Sequence, residues 1–141
     1  MAEKRAGYEF TIAYGPAGAT ATTPITNSID VTDEFVTEKG ETTVRGDGTA
    51  PPVKAFRVVA REKKVTFQML MKTDDTTLAA LLAASYAGTP VALRTKAHAT
   101  GLGTNADFIL EHSKGAPLKG MQTVDFTCEI NDDLRAAQFN V

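Results

Sequence analysis

A period of two runs through most of this chain, and few architectures accommodate it. In "GYEFTIAYG", Tyr8, Phe10, Ile12 and Tyr14 fall on one side and Glu9, Thr11 and Ala13 on the other. In "NSIDVTDEFVTEKGETTVRG", Ile29, Val31 and Phe35 oppose Ser28, Asp30, Thr32 and Glu34, while Asp33 breaks the pattern and marks a bulge or interruption. Phe56, Val58 and Ala60 share a face, as do Val65, Phe67, Met69 and Met71, and later Ala106, Phe108 and Leu110. In "MQTVDFTCEI", Val124, Phe126, Cys128 and Ile130 alternate with Thr123, Asp125, Thr127 and Glu129. Successive side chains of a pleated strand point to opposite faces, so each segment reads as a half-buried strand. Twenty threonines, β-branched and suited to sheet surfaces, favour the same reading.

The breaks are equally informative. Gly15-Pro16 ends the first strand, and hairpin turns are predicted near Lys39-Gly40 and at Glu62-Lys63. "GDGTAPP", Gly46 to Pro52, is a loop, because two glycines and two prolines do not belong in a ladder. One stretch is helical: "KTDDTTLAALLAASYAGTPVALRT". Asp74 or Asp75 supplies an N-cap, Leu78, Leu81, Leu82 and Ser85 or Tyr86 recur at helical spacing, and Gly88 and Pro90 end it. A helix of about 12 residues is marginal alone, so its leucines must lie on a sheet. The expected fold is mainly β: an antiparallel sandwich or barrel of about seven or eight strands with one flanking helix at about 75–87. The 141 residues form a single domain with a flexible N-terminal segment, the 46–52 loop and a tail, "NDDLRAAQFNV", loose until it docks.

Reactive chemistry is scarce. His98 and His112 are the only imidazoles, and one cysteine, Cys128, leaves neither zinc-ligand spacing nor an internal disulfide. Cys128 alternates with core residues, as an inert buried thiol does. "GLGTN" has no third glycine and precedes a strand, whereas a phosphate loop needs a helix N-terminus. No catalytic, cofactor-binding or metal-binding residue is expected, and the chain is read as a non-enzyme without cofactors. The start "MAEKRAGYEF" lacks a signal-peptide core and no run reaches about 18 apolar residues, so a cytosolic location or non-secretory delivery, without membrane contact, is expected. Net charge is −2, which does not suit a molecule that is wholly a nucleic-acid patch. Yet Asp30, Asp33, Glu34, Glu38 and Glu41 cluster against Lys39, and Arg45, Lys54, Arg57, Arg61, Lys63, Lys64 and Lys72 cluster against Asp47 and Glu62. These are either two solvated faces or a surface that meets complementary copies of itself or another polyanion.

"MLMKTDDTTLAALLAASYAGTPVALRT" resembles the signature region of tail tube proteins of long-tailed bacteriophages, where a strand, an Asp-rich cap, a short helix and a "GTP" step into an apolar strand follow in that order. Upstream, "ITNSIDVTDEFVTEKGETTVRGDG" is similar to the family's acidic strand and "RG" segment. Downstream, "ADFILEHSKGAPLKGMQTVDFTCEI" is similar to its closing pair of strands. The likeness spans roughly residues 25–131. It implies a structural virion protein that joins edge to edge into hexameric rings, stacked as a tube that surrounds the tape-measure protein and conducts DNA without binding it specifically. Other implied partners are the tail terminator and tail-tip or baseplate proteins. The implied place is the virion tail, with assembly in the host cytoplasm.

Under this reading Asp30, Thr32, Glu34 and Asp125 are candidate lumen residues, since acidic walls repel phosphate. Gly46, Asp47, Gly48, Thr49, Pro51 and Pro52 form a candidate ring-stacking loop. Arg57, Arg61, Lys63 and Lys64 are candidate inter-subunit charges. The alternatives are a monomeric β-sandwich that binds a ligand or carbohydrate, a neck or tail-terminator protein, and the tube protein of an injection system.

Overall fold

Alternate residues of the central strands lie buried on one side, and the strands join accordingly into one antiparallel sheet. The computed structural model describes residues 4–46, 48 and 50–141. Seven strands occur among the described residues: β1 (Thr11–Pro16), β2 (Thr23–Pro24), β3 (Ser28–Glu41), β4 (Phe56–Leu70), β5 (Val91–Lys96), β6 (Asn105–Gly115) and β7 (Thr123–Asn131). Their order is β2-β1-β5-β6-β7-β4-β3. The sheet curls into a half-barrel. The curl is deep enough that Thr95 of β5 donates its hydroxyl to the Asp33 carboxylate of β3, 3.3 Å away, although three strands separate them in the sheet.

The inner face carries the core. Val65, Phe67 and Met69 of β4 pair in register with Cys128, Phe126 and Val124 of β7, and all six are buried. Leu110 and Phe108 of β6 and Leu93 of β5 extend the layer. Phe67 and Phe126 stack with centroids 5.2 Å apart. Burying each large apolar side chain contributes about 1.5–3 kcal/mol, the main favourable term here.

Helix α1 (Thr76–Ala87) covers the core at β6. Asp75 is the N-cap, and its carboxylate accepts from Leu78 N at 3.2 Å. Gly88 ends the helix at φ 71, a left-handed conformation that a side chain would strain. Leu78, Leu81 and Ala84 are buried, Leu82 is partly so, and Tyr86 faces outward. Ser85 hydroxyl lies 3.2 Å from the Leu110 carbonyl and 2.6 Å from His112 Nδ1, so the last turn is fixed to β6.

A second, polar cover lies outside β5 and β6. Asp107, fully buried, accepts from Arg135 Nε at 2.9 Å and from Gly18 N at 2.9 and 3.1 Å. Arg135 also donates to Asn105 Oδ1 at 2.9 Å. A buried carboxylate is tolerable only when paired and hydrogen-bonded in this way. The tail continues by exchanging backbone hydrogen bonds between Gln138 and Asn105, and between Val141 and Gly103. A Cβ at Gly103 would collide with the Thr95 carbonyl, so only glycine permits this approach. The tail read as loose until docked thus has docking partners in its own chain.

Three local expectations are corrected. β3 has no turn at Lys39-Gly40, and β4 has none at Glu62-Lys63: two expected short hairpins are one long hairpin, closed by residues 42–55. Gly40 answers to crowding, since a Cβ there would sit 3.1 Å from Val59 Cγ1, and Lys63 runs through the strand with its amine turned toward Asp33. The bulge expected at Asp33 falls at Asp30 and Val31, between the pairs Ile29–Gln68 and Thr32–Thr66, with Asp30 at φ 50. β1 starts at Thr11, because Gly7–Glu9 form a 3-10 turn that leaves Tyr8 exposed.

Leu81 is fully buried at the helix–sheet contact. Leu81→Asp is expected to cost several kcal/mol, about 3–5, through a buried unpaired charge. Thermal denaturation checks this, and an unchanged melting temperature would show that the helix does not pack there.

Candidate functional site

The outer face of β3, β4, β7 and β6 is the first candidate surface. Residues directly opposite in an antiparallel ladder share a face. The register aligns Thr32, Thr66, Thr127 and Glu111 in one row, Glu34, Lys64, Glu129 and Ile109 in the next, and Ile29, Gln68, Asp125 and Ser113 in a third, so the bulge brings Ile29 to the face of Thr32 and Glu34 that the alternation had set it against. The structure therefore brings Thr32, Glu34 and Asp125 together on one surface, with Glu111 and Glu129, which the sequence reading did not include among the site residues. Asp30 is exposed at the bulge beside them. Lys64 stands between Glu34 and Glu129 and relieves their repulsion across the ladder. Gln68 donates to Asp125 Oδ1 at 2.8 Å, which fixes that carboxylate. This face has acceptors and net negative charge, and no nucleophile or base stands poised in it. It can repel polyanions and hold water.

The second surface is an arm. β4 pairs with β7 only from Lys64 to Leu70, so Phe56–Lys63 and their β3 partners project with no third strand. Eight residues at about 3.3 Å each give a projection of roughly 26 Å. Phe56, Val58, Val59 and Val36 are exposed along it, with Arg57 among them. An isolated two-stranded ribbon is marginal in water, and apolar residues displayed on one mark a contact surface. The loop residues Gly46, Gly48, Pro51 and Pro52 are exposed at its tip, while Asp47 and Thr49 lie outside the described residues.

The root of the arm is fixed by polar and aromatic contacts. Lys63 forms an ion pair with Asp33, and both are largely buried. Asp33 accepts from Thr95, whose hydroxyl accepts from Thr104 N at 3.1 Å. Phe139 of the tail meets Phe35 edge-on, centroids 5.2 Å apart, and the Arg61 guanidinium lies 5.7 Å from the Phe139 ring. Of the four candidate inter-subunit charges, the structure places Lys63 inside its own subunit, Arg61 against the tail, Lys64 on the acidic face and Arg57 exposed on the arm. Phe139 and Asp33 were missed as structural anchors. The signal for Asp33 was its break in the alternation, since an inward-facing carboxylate needs a partner.

Between the edges formed by β1 and β2 on one side and β3 on the other lies an opening of about 740 Å³, lined by Tyr8, Phe10, Ile12, Ile25, Ile29 and Asp30 among others. Cys128 is buried, and burial pushes its thiol up to about 12, which suppresses the thiolate. No group of His, Cys, Asp or Glu among the described residues could hold a metal ion. No helix among them is long and apolar enough to cross a membrane.

Chains from a gene transfer agent tail, a gene transfer agent virion and the SPP1 tail tube share this fold. A chain from the tail of an empty gene transfer agent particle with C6 symmetry has TM-score 0.79 at 13% identity, over 98% of this chain and 100% of that one. A chain of the native gene transfer agent virion gives 0.72 at 12% identity, over 98% and 100%. The SPP1 tail tube subunit gives 0.62 at 13% identity, over 96% and 78%. No family model and no curated protein matches the sequence. The similarity is thus one of fold, carried by nearly the whole chain.

The Asp33–Lys63 pair makes its own forecast. Lys63→Met should cost about 3 kcal/mol by leaving a buried carboxylate unpaired, and adding Asp33→Leu should return most of it. Chemical denaturation of the two variants checks this. A double variant as unstable as the single one would remove the pair from the root of the arm.

Proposed function

We propose that this chain is the subunit of a tail tube, joining copies of itself into rings of six that stack around a DNA conduit. The observation that carries the reading is the near full-length correspondence with a subunit of a C6-symmetric tail, in a molecule whose sheet ends in two unfinished edges. β3 offers one long edge, and β1, covered by only the two residues of β2, offers the other. Such edges are aggregation hazards in a monomer and joining surfaces in a ring. A head-to-tail contact of this kind closes into a ring when the rotation permits.

Asp30, Thr32, Glu34 and Asp125 then face the lumen, where carboxylates keep a passing duplex from adhering. The arm tip, Gly46 to Pro52, reaches an adjacent ring. Arg57, exposed beside apolar residues, is the foremost inter-subunit charge, and Lys64 serves the acidic wall of its own subunit. Tape-measure, terminator and tip or baseplate proteins are the partners of this assembly in the virion tail, after assembly in the host cytoplasm. The chain has no catalytic role in it. The opening of about 740 Å³ with Tyr8 and Phe10 on its wall favours a second reading, a monomeric ligand-binding module.

Sedimentation and negative-stain microscopy of the purified chain separate the two. Rings or tubes with a central hole are expected. A 15.0 kDa species that persists at high concentration and takes up ligand in the opening would support the second. In tubes, Asp30→Asn with Glu34→Gln should leave assembly intact and slow DNA passage. Collapse of assembly in that variant would place these residues in an interface.

A further inference from the structure

The two residues of β6 that receive the tail also receive the loop leading into an edge of the sheet. Asp107 and Asn105 stand on the outer side, opposite Ala92 and Arg94 of β5. From one direction Arg135 donates Nε to Asp107 and Nη1 to Asn105, and Gln138 exchanges backbone hydrogen bonds with Asn105. From the other, Gly18 N donates to both Asp107 carboxylate oxygens, and Asn105 Nδ2 donates to Thr20 Oγ1 at 3.1 Å. The same Nδ2 lies 3.3 Å from Gln138 Oε1, so one amide group bridges loop and tail. The two segments also meet directly, since a Cβ at Gly18 would lie 3.7 Å from Leu134. Beyond Thr20 the loop runs straight into β2, which pairs with β1 through Thr23 and Pro24 alone. Ile25, which follows, is buried and donates its N–H to the Ile12 carbonyl at 2.9 Å.

We infer that Arg135 is a positioning residue for ring joining: through Asp107 and Asn105 it fixes the 17–22 loop, and through that loop the edge that β1 and β2 offer to the next copy. This rests on the tube reading and names what readies one of its two edges. A two-residue strand does not hold its own place, so its position comes from what anchors the chain on either side. On one side that anchor is the core, through Ile25; on the other it is Asp107. Bonds to an ionised carboxylate are among the stronger hydrogen bonds, and Asp107 is fully buried only while the tail lies over it. Arg135 Nη2 has no acceptor among the described residues, so the guanidinium grips through the two bonds named. Without Arg135 the buried carboxylate has lost its counter-charge, and the tail must lift to let water reach it. That opening exposes the same oxygens to which Gly18 is bonded. The core lies on the opposite face of the sheet, so the latch can open while the barrel stays folded.

The test uses the full chain with Arg135→Ser, and separately with Asp107→Leu and Arg135→Leu together, which removes the pair without leaving a buried charge. The readout is the Ile25 amide, whose hydrogen bond neither variant touches. Its hydrogen exchange should quicken at least about tenfold in both, while the amides paired between β4 and β7 keep the wild-type rate. Sedimentation should show ring mass reduced by about tenfold, because the edge no longer presents one geometry to its partner. Ile25 exchange at the wild-type rate in both variants would overturn the latch, and so would rings at wild-type yield, with the tube reading left in place. Absence of rings in the wild type would overturn the joining role together with the tube reading, and exchange at Ile25 would still decide whether Arg135 fixes the loop.

Discussion

The structure depends on one constraint: a seven-stranded antiparallel sheet with a single strongly apolar face has to cover that face from within its own chain. Curling does most of it, bringing Val65, Phe67 and Met69 under Phe108, Phe126 and Leu93, and one capped helix covers the remainder. The curl is also held across its mouth. Lys63, Asp33, Thr95 and Thr104 form a polar relay from β4 to the loop before β6, and Phe139 packs against Phe35 at the same level. Partly buried ion pairs are weak sources of net stability, and their value here is geometric. They fix which way the unpaired half of the β3–β4 hairpin leaves the body.

A curled sheet that stops short of closure keeps two edges, and the rest of the functional reading follows from them. Full barrels abolish edges, and sandwiches blunt them with short strands or charges. Here β3 stays long and unpaired along its outer side, and its side chains on the convex face include Thr32, Glu34 and Glu38 beside Ile29 and Val36. The molecule thus separates three surfaces by physics alone: an edge that wants a strand, a wall that repels polyanions, and a ribbon whose apolar residues want cover. The chains from known tails and virions that share this fold do so at only 12–13% identity.

Much of this was legible in the sequence because strand alternation and helix capping are local. Asp75, Gly88 and Pro90 mark the helix ends within a residue, and Val124 to Ile130 announce their buried face by themselves. Less local features were hidden. Gly40 and the Glu62-Lys63 pair look like turns, yet the strands continue past them, with one register shift between Glu38 and Lys39 that leaves Val59 unpaired, because cross-strand contacts with Val59 and Asp33 decide those positions. Tyr8 extends the alternation by one step too many, since Glu9 turns back to accept from Ala6 N and Arg5 instead of joining the ladder. The tail looked unstructured because its partners, Asp107, Asn105 and Phe35, lie about 30 to 100 residues upstream.

Hydrogen exchange along β3 tests the central claim most directly. Half of its amides face β4, and the other half face outward without partners in the isolated subunit. On assembly the outward-facing amides between Ser28 and Glu41 should slow by orders of magnitude, while those of β7, already paired on both sides, should change little. Unchanged exchange along β3 in an assembled particle would contradict joining through this edge.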